Sequence, residues 1–160
     1  MEAAPLRSAR PLSVLLGRER QLLERICWQL KVAQVLVDTD RLGWAGPSLR
    51  ETDLLADRLG VAEFTRALQV AGHAEALGLA GEPTLDELAA RWPLPGRPAL
   101  RRHALHLRRL IGQARSQARA VTTRLEQEPR HEEPLEALVR SGGLEVARRV
   151  PPPSLVDFVG

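Results

Sequence analysis

The chain has 160 residues, enough for one domain with a real core and too few for two comfortable ones. It is 44% hydrophobic but only 3% aromatic, with no tyrosine, so Leu, Ala and Val must build the core. That palette suits aligned helices and excludes a β-sandwich, which leans on β-branched and aromatic residues. The net charge of +3 is mild, and the high pI of 10.3 reflects arginine: Lys31 is the only lysine. Arginine for lysine, with abundant Ala, Leu, Gly and Pro, suits a GC-rich coding sequence, and so mild an excess does not by itself imply a nucleic-acid partner.

Residues 1–10 read as a polar, disordered leader, and the apolar run within residues 1–20 is too short for a signal peptide and carries charge on both sides. A first long helix is predicted from Pro11 to Asp38. Its seam is Leu12, Leu16, Glu19, Leu23, Ile26, Leu30, Ala33 and Val37, in 4-3 alternation with one polar intruder. Leu15, Leu22 and Leu36 widen the apolar face, so the helix should touch two neighbours. Cys27 lies on this helix without a disulfide partner, which fits a reducing compartment and a buried, inert thiol.

Glycines and a proline in TDRLGWAGPS predict a break. Ser48 then opens the second helix as the start of a capping box with Glu51. That helix should run to Leu77 with Leu54, Val61, Phe64, Leu68 and Ala71 as its clearest stripe, flanked by Leu55, Leu59 and Ala62. Gly60 and Gly72 weaken it by about 1 kcal/mol each, and Gly78 is placed to end it. Thr84 and Glu87 form a second capping box, opening a short helix that stops at Trp92-Pro93. Pro98 suits the first turn of a third long helix, which Pro129 ends.

The third long helix carries a strict heptad: Leu100, Ala104, Leu107, Ile111, Ala114, Ala118, Val121 and Leu125. The fold class is therefore all-α, an antiparallel up-down-up bundle of three long helices with one short connecting helix. The bundle domain covers 11–128. Residues 129–160, with Val150-Pro151-Pro152-Pro153-Ser154, read as a flexible Pro-rich tail ending in an apolar run.

Nothing in the chain has the spacing of an active site. His103 and His106 are three apart, but only isolated His73 and His131 remain to complete a metal site, and no H-E-x-x-H occurs. Asp38, Asp40, Glu51 and Asp53 cluster around the first turn without the opposed environments of an acid/base pair. No phosphate-binding or nucleophile-elbow motif is present. The chain reads as a non-enzyme without cofactor or metal, without a membrane span, and cytoplasmic.

The Arg-rich start of the third helix, with Arg101, Arg102, Arg108 and Arg109, superficially mimics a helix-turn-helix. The connection before it is longer than the usual turn and holds two prolines, and the helix is about twice the necessary length. A solvated face is the simpler reading, and a DNA-binding regulator is the alternative. Small residues in the seam suggest a groove for an amphipathic helix at Leu107, Ile111, Ala114, Ala118, Val121 and Leu125. A closed core or a homodimeric coiled coil would use the same residues.

The order of landmarks adds to this. Arg18-Glu19-Arg20-Gln21-Leu22-Leu23-Glu24, then Trp28-Gln29-Leu30-Lys31, Gln34, Trp44 and Glu51 resemble the FlgN family of flagellar export chaperones, in its actinobacterial branch. Leu77-Gly78-Leu79 followed by Pro83-Thr84-Leu85-Asp86-Glu87-Leu88-Ala89 is similar to that family's mid-chain segment, and the likeness spans 12–127. The resemblance implies a cytoplasmic chaperone of flagellar type III secretion. Such proteins bind the C-terminal helices of hook–filament junction (hook-associated) proteins, prevent premature assembly and deliver them to the export gate. Two departures stand out: Gln117 lies where the family often has asparagine, and the tail lacks tyrosine, leaving Phe158 as the gate contact. A monomer or a homodimer is compatible with this reading.

Overall fold

A computed structural model describes residues 10–127, and within them the architecture is an all-helical bundle. Helix α1 spans Arg10–Asp38, α2 Leu42–Ala76, α3 Leu85–Arg91 and α4 Arg97–Glu126. The leader up to residue 9, the Pro-rich tail and Phe158 lie outside the described residues. No helix among those described is long and apolar enough to cross a membrane.

Helix α1 is the shared element. It packs along both α2 and α4, whose own backbones hardly approach one another. Arg25–Glu51 and Arg66–Glu19 ion pairs show that α2 runs antiparallel to α1. The Cys27–Leu110 hydrogen bond and the Asp38–Arg124 ion pair show that α4 runs parallel to it. This register sets Leu16, Leu23, Leu30 and Val37 level with Leu100, Leu107, Ala114 and Val121, all buried. The alanines of α4 let the two backbones close on the bulkier leucines of α1. Cys27 is buried against α4, and its thiol is pushed up to about 11 by burial, which keeps it protonated and inert.

The break before α2 is much shorter than the sequence suggests. Helix α1 ends in a Schellman turn: Arg41 N–H bonds the Leu36 carbonyl at 2.8 Å, Asp40 N–H bonds Val37, and Asp40 sits at φ 55°. Helix α2 begins at once at Leu42, so the Ser48–Glu51 capping box does not form. Ser48 instead lies buried inside the helix, donating to the Gln29 carbonyl at 2.9 Å, and Glu51 pairs with Arg25 at 2.9 Å. Pro47 is tolerated because Leu42, Ala45 and Leu49 bury against α1 and α4, outweighing one lost backbone bond.

The other punctuation is as the sequence predicts. Gly78, at φ 67°, ends α2 in a second Schellman turn, with Leu79 N–H on Ala74 and Gly78 N–H on Glu75. Thr84 accepts from Glu87 N–H at 3.1 Å while Glu87 accepts from Thr84 N–H at 2.8 Å, closing the capping box of α3. The α3 residues Leu85, Leu88 and Ala89, with Trp92 just beyond, fill the end of the core against α4.

One ion pair crosses the α1–α2 interface in the dry. Glu19, fully buried, accepts from Arg66 Nε at 3.0 Å, and Arg66 is itself buried. Removing one partner strands the other charge. Arg66→Met should therefore destabilise the fold by about 3–5 kcal/mol, whereas Glu19→Leu/Arg66→Met together should fall within about 1 kcal/mol of the parent or exceed it. Urea unfolding followed by circular dichroism measures both.

Candidate functional site

Of the two readings of the six seam residues on the last helix, a client groove or a closed core, the structure has the core. Leu107, Ile111, Ala114, Ala118, Val121 and Leu125 are each at most 5% exposed. The seam is closed because α1 carries a matching heptad and occupies it along its whole length. It is equally unavailable to a coiled coil with a second chain.

The accessible apolar face lies on α2. Leu54, Val61, Phe64 and Leu68 are 54%, 69%, 67% and 60% exposed, and Ala71 continues the line. Their intervals of seven, three, four and three keep them on one side of a helix, in the geometry of a coiled-coil seam that lacks its partner. Directly opposite, Leu55, Leu59, Ala62, Arg66 and Val70 form the buried side. An exposed apolar stripe on the order of 400 Å² is at the scale that marks an interaction surface. Trp44, at the start of the same helix, and Trp28 on α1 are also largely exposed.

The stripe has two different borders. Towards α1, a shallow groove is lined by Leu15, Leu22, Val61 and Ala62 with Arg18, Arg25 and Arg58. Towards α3, a cleft of about 380 Å³ opens between α2 and the 82–85 segment. Phe64, Ala67, Val70 and Ala71 line it, with Glu63, Arg66 and Glu82. Glu63 is half-buried, and its carboxyl is pushed up to about 7 by burial and by the Glu19 charge, with Arg66 only partly opposing. Burial also raises Glu19 despite its arginine partner. Glu19 Oε2 and Glu63 Oε1 have no hydrogen-bond partner.

The remaining candidates are dispersed. Arg101, Arg102 and Arg109 lie on the exposed side of α4, while Arg108 pairs with Asp86 of α3. His103 is partly buried, and burial lowers its pKa. His73 stacks edge-on against Trp92 with ring centroids 4.7 Å apart. No group of three or more His, Cys, Asp or Glu among the described residues is placed to hold a metal ion.

Comparison with protein-family models, curated proteins and solved structures finds no match for this chain.

Two outcomes check the assignment of inner and outer faces. Ala118→Glu should cost more than about 3 kcal/mol, since it buries an unpaired carboxylate, while Phe64→Ser should stay within about 1 kcal/mol. Thermal melts of the two variants decide it. Glu63 titrates with the opposite sign to a salt-bridged surface acid. Its folded pKa lies above its unfolded value, so its contribution is full below about pH 4.5 and is lost as pH rises through about 7. Glu63→Gln should match the parent at pH 4.5 and exceed it by roughly 1–2 kcal/mol at pH 8, allowing for its partial exposure.

Proposed function

We propose that this protein is a helix-capturing chaperone of flagellar type III export, and that α2 receives the client. The observation that carries the reading is the unpartnered seam Leu54, Val61, Phe64 and Leu68, aimed away from a core that is already complete without it. A stripe with this spacing is complementary to one face of an amphipathic helix. The landmarks that resemble the FlgN family support the assignment to flagellar export: most of them fall on α1 and the first half of α2. The clients would be the C-terminal helices of hook–filament junction proteins. Those segments assemble through apolar faces, and covering the face holds the subunit unassembled until it is handed on.

No bond is made or broken in such a cycle, so the mechanism is competition between surfaces. The bundle keeps the stripe rigid, because α1 fixes the opposite face of α2 along its length, and a preorganised surface loses less entropy on binding. Release needs no nucleotide, since a second binder of the same apolar face suffices.

Co-expression with the C-terminal segment of a hook–filament junction protein from the same genome tests the proposal. A complex should co-purify, and Val61→Lys/Leu68→Glu should weaken it at least 100-fold without shifting the melting curve by more than a few degrees, since each buried aliphatic side chain is worth about 1.5–3 kcal/mol. Two soluble partners that fail to associate would overturn the assignment.

A further inference from the structure

The α2 stripe runs directly into the cleft on its α3 side, because Phe64 and Ala71 belong to both. The charge of that border is one-sided. Glu63 and Glu82 line the cleft, and Arg66, the cation of that lining, is engaged at 3.0 Å by the buried Glu19. Glu19 and Glu63 thus share the field of one guanidinium, and one carboxylate oxygen of each is without a hydrogen-bond partner. The opposite border carries Arg18 and Arg58.

We propose that the helix captured on α2 carries a basic side chain along its α3-facing edge, and that this side chain enters the cleft and pairs with Glu63 and Glu82. The inference rests on the reading of α2 as the helix-binding face and names the chemistry of its partner. The floor suits the stem of a lysine or arginine. Gly60, Ala67 and Ala71 are small, and a Cβ at Gly60 would meet nothing within 4 Å. Methylenes can lie along that floor while the charged head reaches the carboxylates. A neutral or acidic helix would cover the same carboxylates and leave them desolvated and unpaired, which makes the cleft a filter as well as an anchor.

Two synthetic helical peptides with the same leucine seam test this, one with arginine along one edge and the other with glutamine at those positions. Their affinities for the full chain are measured by fluorescence anisotropy at pH 8. The arginine peptide should bind at least tenfold tighter. That advantage should disappear in Glu63→Gln/Glu82→Gln and persist in Glu24→Gln/Glu126→Gln, which removes the same charge elsewhere. Should the first variant melt early, Glu82→Gln alone, on an exposed segment, should still reduce the advantage several-fold. Equal affinities, an advantage untouched by the cleft substitutions, or no binding of either peptide would overturn the proposal. An arginine preference without capture of a junction-protein helix would overturn only the flagellar assignment. Capture without the preference would overturn only the basic anchor.

Discussion

Helix α1 is apolar on two sides, so it can serve two helices at once, and the rest of the bundle follows from that sharing. Its Leu16, Leu23, Leu30 and Val37 meet the heptad of α4, while Leu22 and Ile26 join the same core cluster as Leu55, Leu59 and Ala62 of α2. A helix served from both sides leaves α2 and α4 little reason to approach each other, and their backbones do so at almost no point. The cleft beside Glu63 lies between α2 and the segment that leads into α3, and α3 with Trp92 packs into the shared core. The exposed apolar face of α2 is thus what remains once the core has divided its contacts.

The buried Glu19–Arg66 pair sharpens this arrangement. Nonpolar residues at both positions would pack α1 on α2 at least as stably, since desolvating two charges offsets most of their attraction. The pair has a directional effect instead. It accepts only an alignment in which position 19 meets position 66, so it opposes sliding of one leucine-rich helix past the other. Leucine seams alone discriminate poorly between neighbouring registers, as a one-heptad slip re-creates most contacts.

Legibility in the sequence followed the locality of the signal. Capping is decided within a few residues, so the Thr84–Glu87 box and the Gly78 terminus were readable, as were the heptads of α1 and α4. The start of α2 was not, because Asp40 takes the left-handed turn position usually held by glycine, while Gly43, Gly46 and Pro47 sit harmlessly inside the helix. Helix α2 is apolar on both sides, and periodicity cannot say which side faces inward. The cleaner stripe proved to be the outer one, since Arg66 interrupts the inner. A usable clue was present: Glu19 breaks the seam of α1 and Arg66 breaks the inner line of α2, and two opposite charges on facing apolar surfaces are each other's natural partners. Their pairing identifies the buried side of α2. Whether the α4 seam is a groove or a closed core is undecidable from sequence for the complementary reason, that a heptad states what a face is made of and not whether another helix already occupies it.

What distinguishes α2 from an ordinary amphipathic helix is that its outer face is apolar by design of spacing rather than by scatter. Single exposed leucines are common on protein surfaces and carry no meaning. Four large side chains at seven, three and four residues, bordered by arginines on one side and by carboxylates on the other, form an ordered surface with a direction. A helix laid along it meets different charges at its two edges, so reversing the helix exchanges them. On the proposed reading, apolar contact would supply the affinity, whereas the borders would set orientation and exclude helices of the wrong edge charge. On that same reading, a chaperone that holds one class of helix among many apolar segments needs that division of labour, and both borders of the stripe lie on α2 and its immediate neighbours.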